Sequence, residues 1–208
     1  MSRTYIFKRF ERFWHWSQAA LILFMLASGF EVHGVYKLLG WQRAVELHTT
    51  AAWALIVLWA FAIFWHFTTG EWKQYIPTTE KIAAVMRYYA FGIFDRNAHH
   101  PFRTTQLTKH NPLQRLAYLF VKLFINPLIW ISGLLYLYYP ELARTSAMGG
   151  IELGSVATAH TLAAFLMLIF LIVHVYFATT GHTPLAHIKA MITGWEDLEE
   201  EPLASKPG

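Results

Sequence analysis

Residues 156–178, VATAHTLAAFLMLIFLIVHVYFA, decide the fold, because this almost wholly apolar stretch is long enough to cross a bilayer as a helix. Two histidines interrupt it, His160 and His174, and they stand fourteen residues apart. Fourteen residues make almost four helical turns and about 21 Å of rise, so both imidazoles lie on one helix face at different depths. Ionisable side chains within a membrane are costly and usually functional, which indicates a role for both histidines.

The composition of the whole chain is that of an integral membrane protein. Of its 208 residues, 55% are hydrophobic and only 14% are charged. Besides 156–178, three stretches are apolar and long enough to span a bilayer, namely residues 13–32, 47–67 and 116–139. We therefore predict an all-α protein, an integral membrane four-helix bundle forming one domain over residues 1–208, with a loop at 70–115 and a C-terminal tail at 181–208.

The chain contains no cysteine. This excludes thiolate-held iron–sulfur clusters, cysteine-ligated zinc, disulfides and covalently attached haem within the chain. Any redox centre that it holds must use histidine, methionine, tyrosine or carboxylate ligands.

The basic residues lie between the apolar spans, so the net charge of +4 indicates membrane flanks rather than nucleic-acid binding. Most of them fall in the N-terminal tail and the loop at 70–115, and few fall on the other side: Lys37, Arg43 and Arg144. By the positive-inside rule, we predict that both termini and the long loop face the cytoplasm. We expect the acidic residues 196–201 of the tail to be solvated and partly disordered.

Depth along the predicted spans sorts the histidines into two levels. With this orientation His48 and His160 lie at the outer level, and His174 lies at the inner level with His15 or His66. A b-type haem needs two axial nitrogens from facing helices, and pairing within levels supplies that twice. Eighteen residues, about 27 Å of helix, separate His66 from His48, against about 21 Å for the pair on the last span. His15 is therefore the better match for His174.

Small residues provide an independent indication of room for two porphyrins. Gly29 lies fourteen residues after His15 on the same helix face, and Ala62 lies fourteen residues after His48. Gly133 on the third span has a similar character. Clearance for a haem is one interpretation of these positions, and ordinary close packing between membrane helices is the other.

The histidine pattern, together with residues 109–115, KHNPLQR, resembles a known family. The family comprises the dihaem cytochrome b membrane subunits of formate dehydrogenases, nickel–iron hydrogenases and thiosulfate reductases, related to bacterial cytochrome b561. Residues 109–115 are similar to its Lys-Tyr-Asn-x-x-Gln-Lys/Arg signature, although His110 stands where the signature has tyrosine.

The resemblance implies that His15 and His174 hold the iron of an inner haem b, while His48 and His160 hold that of an outer one. It also implies a quinone site at the inner haem, lined by Asn111, Gln114 and His174. An alternative for Asn111 is that it only caps the third helix, with Pro112 in the first turn. We interpret His66 as an interfacial residue rather than part of a proton path.

These features predict a membrane anchor and electron conduit of the bacterial cytoplasmic (inner) membrane. Electrons would pass between an extracytoplasmic iron–sulfur subunit, joined to a catalytic subunit, and menaquinone or ubiquinone. One alternative is a stand-alone cytochrome of the b561 type that oxidises a small diffusible donor such as superoxide and reduces quinone. Another is a haem-free, proton-coupled transporter that uses its histidines as proton relays.

Overall fold

The computed structural model describes residues 2–92, 101–102, 105, 108–145, 149–181 and 183–198. The predicted all-α class is confirmed, because helices make up most of this part of the chain. The elements in chain order are β1 (Ser2–Tyr5), α1 (Arg9–Val32), α2 (Trp41–Thr69), α3 (Ile82–Ala90), α4 (Pro112–Phe120), α5 (Asn126–Leu137), α6 (Tyr139–Arg144), α7 (Leu153–Ala178), α8 (Ala186–Thr193) and β2 (Trp195–Leu198). A 3-10 turn follows α2 at Glu71–Tyr75, and a π-helical turn at Val121–Ile125 joins α4 to α5.

Three helical segments of the described chain are long and apolar enough to cross a membrane: α2, the continuous run Pro112–Leu137, and α7. The helix α1 has 24 residues, but Arg9, Glu11 and Glu31 give it charged ends, and its crossing of the membrane stays a prediction. The helices also begin before the predicted spans, α2 by six residues at Trp41. The predicted bounds followed the apolar core, whereas the helical hydrogen bonds continue into the polar flanks.

Large apolar side chains point outward along these helices. Phe64 on α2 is 68% exposed, Phe124 before α5 is 62% exposed, and Ile172 on α7 is 61% exposed. Such a surface is unfavourable in water and typical of a protein surrounded by lipid. The exposed faces therefore support the prediction of a membrane protein.

The chain folds as two compact units, and the first contains the described parts of Met1–Gln74, Phe102–His110 and Ala178–Gly208. In this unit α1 packs along α2. The carboxylate of Glu31 holds the loop between them, because its Oε1 accepts hydrogen bonds from the N–H groups of Leu38, Leu39 and Gly40 at 2.8, 2.6 and 2.8 Å. A buried carboxylate with three backbone donors fixes the turn that starts α2.

The C-terminal segment of the first unit is more ordered than its sequence suggested. Residues Trp195–Leu198 pair antiparallel with Ser2–Tyr5, so the expectation of a solvated tail is wrong for this stretch. Glu196 is 8% exposed, and its Oε1 lies 3.2 Å from Nδ1 of His187. The strand pairing and the contact with His187 hold Glu196 in place. Residues 199–208 lie outside the described part of the chain.

The second unit contains the described parts of Tyr75–Pro101 and Asn111–Phe177. A π-helical turn precedes Pro127, and in it the N–H of Asn126 bonds to the carbonyl of Val121 five residues earlier. Pro127 has no N–H to give to the carbonyl four residues before it, and its ring crowds that carbonyl. Widening the preceding turn relieves the crowding and keeps the segment helical.

Candidate cofactor site

His48, on α2 in the first unit, is held by a serine of α1. The Oγ of Ser28 lies 2.9 Å from Nδ1 of His48 and 2.9 Å from the carbonyl oxygen of Phe24. With the hydroxyl proton given to that carbonyl, the serine oxygen accepts a hydrogen bond from the Nδ1–H of His48 in one of the two neutral tautomers. A neutral imidazole that donates through Nδ1 carries its lone pair on Nε2, which is the state that binds a metal.

His160, on α7 in the second unit, has the same arrangement with a serine of α5. The Oγ of Ser132 lies 3.1 Å from Nδ1 of His160 and 2.5 Å from the carbonyl oxygen of Leu128. With the Ser132 proton given to the Leu128 carbonyl, His160 likewise donates through Nδ1 and carries its lone pair on Nε2. Two histidines on different helices are therefore oriented alike, each as a potential ligand.

A glycine follows each of these serines and lies against the same imidazole. A Cβ added to Gly29 would meet Cε1 of His48 at 3.6 Å, which is an ordinary contact. A Cβ added to Gly133 would meet Cε1 of His160 at 3.1 Å and Nδ1 at 3.4 Å, which is too close without a shift of the ring. The space beside His160 thus depends on the missing side chain of Gly133.

The two histidines predicted at the inner level contact aromatic rings. His15, on α1, packs edge-on against Trp16 with 5.1 Å between ring centroids. His174, on α7, stacks on Phe170 at 5.7 Å with 22° between the planes. They belong to different units, and their pairing stays a prediction.

His66 is buried within the first unit, and its position at the membrane interface stays a prediction. It is 8% exposed and packs edge-on against Trp14 and Trp65, with ring centroids 5.2 and 5.0 Å away. Its Nδ1 donates to the carbonyl of Ala62 at 2.6 Å, since a carbonyl can only accept. Ala62, predicted to leave room for a porphyrin, is itself 2% exposed, and its carbonyl accepts this hydrogen bond from His66.

Asn111 and Gln114 form the N-terminal cap of α4. The Oδ1 of Asn111 accepts from the N–H of Gln114 at 2.8 Å, and the Oε1 of Gln114 accepts from the N–H of Asn111 at 2.9 Å. This reciprocal capping box, followed by Pro112, is the structural role that the sequence left open for Asn111. A quinone contact for either side chain stays a prediction.

Tyr89, on α3, extends this polar group and was not foreseen from the sequence. The Nδ2 of Asn111 donates to the Tyr89 hydroxyl at 3.4 Å, and the Tyr89 ring lies 4.6 Å from that of Phe177. Phe177 is three residues from His174 on α7, which is about one helical turn. The capped end of α4, α3 and the C-terminal end of α7 are therefore linked inside the second unit.

Lys109, the first residue of the 109–115 segment, lies in a buried charge cluster of the first unit. Its Nζ contacts both oxygens of the Glu11 carboxylate at 2.8 and 2.9 Å, and Oε2 of Glu71 at 2.9 Å. Lys8 bonds the other oxygen of Glu71 at 2.6 Å. One buried ammonium thus bridges two carboxylates, which fixes the chain immediately before α4.

The cluster also shifts the pKa values of Lys8 and Glu71. A hydrogen bond to Glu71 is the main reason why the pKa of Lys8 is raised, although burial acts the other way. Burial is the largest single influence on Glu71 and raises its pKa, but the hydrogen bonds and the positive charges of Lys8 and Lys109 together outweigh it, so the net shift is downward. Both groups are therefore held in their charged forms.

The donor set fits haem better than a bare metal ion. Among the described residues, no three or more side chains of histidine, cysteine, aspartate or glutamate come together as a metal site. A haem brings four nitrogens of its own and asks the protein for single axial imidazoles. Imidazoles oriented through Nδ1, with glycine beside the ring, are suited to that task.

Comparison with known proteins agrees with this chemistry. The family described as prokaryotic cytochrome b561 matches residues 6–194. YdhU of Escherichia coli (strain K12), named as a cytochrome, is 32% identical over 200 residues, which cover 93% of this chain and 74% of that protein. A protein of Cupriavidus necator (strain H16), named as a B-type cytochrome subunit of a nickel–iron hydrogenase, is 24% identical over 208 residues, covering 84% of this chain and 78% of its own length. No solved structure gives a significant match.

Proposed function

Because the chain belongs to the prokaryotic cytochrome b561 family, we propose that it is the membrane-anchoring, dihaem cytochrome b subunit of a respiratory oxidoreductase complex. In that role it transfers electrons between an extracytoplasmic iron–sulfur subunit, joined to a catalytic subunit, and the quinone pool. The observation that carries the proposal is the repeated contact of a serine oxygen with Nδ1 of His48 and of His160, because a ring held through Nδ1 can bind iron through Nε2.

We assign the four axial positions to His15 and His174 for an inner haem b and to His48 and His160 for an outer one. The assignment is supported by the fourteen-residue spacing of His160 and His174 on one unbroken helix, α7. Haem iron between two imidazoles supplies a one-electron carrier when bound.

Room for the two porphyrins is the role that we assign to Gly29, Ala62 and Gly133. The contact of Gly29 with the His48 ring and of Gly133 with the His160 ring supports it for these two glycines. Ala62 is buried within the first unit, and its carbonyl accepts a hydrogen bond from His66.

The proposed quinone site uses Asn111, Gln114 and His174. Reduction of a quinone takes up two electrons and two protons, so its site needs polar groups that connect to water. The capping box gives Asn111 and Gln114 fixed positions, and Tyr89 connects Asn111 to the end of α7 that carries His174. Tyr89 joins the site in this proposal as a hydroxyl that can pass a proton.

A partner subunit must supply the clusters and the catalytic centre, since this chain has no cysteine for them. The relative from Cupriavidus necator is named as a hydrogenase subunit, which supports assembly with an oxidoreductase. The distribution of lysine and arginine supports a bacterial cytoplasmic membrane with both termini inside.

Purification from native membranes in a mild detergent tests this function. We expect an iron–sulfur subunit to co-purify, and we expect the haem α-band to rise when a soluble quinol such as duroquinol is added. A haem-loaded chain that purifies alone and is reduced by superoxide would support the stand-alone cytochrome instead. A folded, colourless protein would support the transporter and contradict the proposal.

A further inference from the structure

The dipeptide Ser-Gly occurs in α1 and again in α5, and each copy faces one histidine. Ser28 and Gly29 lie against His48 in the first unit, and Ser132 and Gly133 lie against His160 in the second. In both copies the serine contacts Nδ1, and in both the glycine lies nearest to Cε1. Two unrelated stretches of sequence thus build the same surroundings for two imidazoles.

Each of the two serines contacts a histidine as well as a carbonyl of its own helix. A serine or threonine inside a helix usually donates its hydroxyl proton to the carbonyl four residues earlier and makes no further bond. The exposed Thr50 donates to the carbonyl of Glu46 in this way. Ser28 and Ser132 make that bond, and the same oxygen also lies within hydrogen-bond distance of a ring Nδ1, from whose N–H it can accept. Both serines are 4% exposed, so solvent competes little for either bond.

A hydrogen bond at Nδ1 affects what Nε2 can do. Donation of the Nδ1 proton to an oxygen fixes the tautomer and the ring orientation, and it raises the basicity of Nε2. A more basic axial nitrogen favours ferric over ferrous iron, which lowers the reduction potential of the haem that it ligates.

We propose that Ser28 and Ser132 are positioning residues that act through His48 and His160 to lower the reduction potential of one haem, the outer one. This inference rests on the proposed function, because it needs both histidines to be axial ligands of the same iron. We expect the inner potential to stay unchanged, because the two serines contact His48 and His160, the ligands assigned to the outer haem.

Redox titration of the haem absorbance in S28A, S132A and the double variant tests the inference. Alanine removes one oxygen from each buried site and keeps the helix, so folding is expected to survive. S28T and S132T keep the hydroxyl, and T50A removes a back-bonded hydroxyl from the helix that carries His48. A haemochrome count on each variant reports occupancy separately from potential.

We expect S28A and S132A to raise the same one of two midpoint potentials, the double variant to raise it further, and T50A to leave both unchanged. The threonine variants should restore the wild-type value. Two haems with unmoved potentials would overturn the role of the serines and leave the proposed function standing. If S28A and S132A shifted the midpoint potentials of two different haems, His48 and His160 would not share one iron. A wild-type protein without haem would overturn the proposed function itself.

Discussion

Lys109 and Glu11 are ninety-eight residues apart in sequence and joined by two hydrogen bonds of 2.8 and 2.9 Å. Their side chains are only 3% and 9% exposed. Lys109 also bonds Glu71, so one cation compensates two largely buried carboxylates. Lys8 bonds Glu71 as well, but half of its side chain is exposed. The two lysines therefore differ in burial while they share a partner.

Replacing Lys109 by methionine should strongly destabilise the fold. The substitution leaves the Glu11 carboxylate buried without its ammonium, and losing one member of a buried ion pair costs about 3–5 kcal/mol. Lys8→Met removes an exposed partner of the same cluster and should cost about 0–1 kcal/mol. Equilibrium unfolding in mixed micelles measures both. Equal losses for the two variants would contradict the buried bridge.

The lowered pKa of Glu71 gives the stability a defined pH dependence. A carboxylate whose pKa is lower in the folded than in the unfolded state, where it is near 4.5, contributes stability above that pH and loses it as the pH falls. The thermal midpoint should therefore drop on acidification between about pH 5 and pH 3. Glu71→Gln should make this dependence shallower, whereas Glu80→Gln, at an exposed carboxylate, should leave it as in the wild type.

Gly133→Ala should disturb haem binding more than Gly29→Ala does. The new Cβ at position 133 would press on the His160 ring at 3.1 Å, while at position 29 it would meet the His48 ring at 3.6 Å. Alanine favours a helix over glycine by about 1 kcal/mol, so a loss of helix would not explain the result. The ratio of Soret to 280 nm absorbance measures haem content. A larger loss in Gly29→Ala would contradict this difference.

A comparison of Asn111→Ala with Asn111→Ser separates the capping role of Asn111 from its proposed contact with quinone. Loss of the cap should cost about 1 kcal/mol, and serine should restore it because its hydroxyl also caps a helix. If Asn111 also lines the quinone site, both variants should oxidise quinol more slowly, as followed by haem reduction in stopped flow. Full recovery of the rate in Asn111→Ser would leave Asn111 with the cap alone.

Much of the fold was predictable because the signals are local. Apolar stretches of about twenty residues mark spans, and a fourteen-residue spacing places His160 and His174 on one face. The cap at Asn111 is likewise local, since its partner is three residues away. Contacts between distant segments were not predictable in this way, as with the bond from Lys109 to Glu11 and the pairing of residues 195–198 with the N-terminal strand.

The serines beside His48 and His160 were missed for a different reason. A serine in an apolar helix indicates close packing or a bond to its own backbone, and neither suggests a histidine twenty or twenty-eight residues away. The repeated Ser-Gly dipeptide at 28–29 and 132–133 was the available signal. The burial of His66 was likewise not foreseen, because Trp14, which packs against it, lies on the neighbouring helix.

Haem b per polypeptide, measured by pyridine haemochrome on the purified protein, tests the central claim most directly. The account predicts two haems in the wild type, one in His48→Ala and in His160→Ala, and two in the control His33→Ala, whose imidazole is exposed beyond α1. A folded wild-type protein without haem, from cells with adequate haem supply, would contradict it.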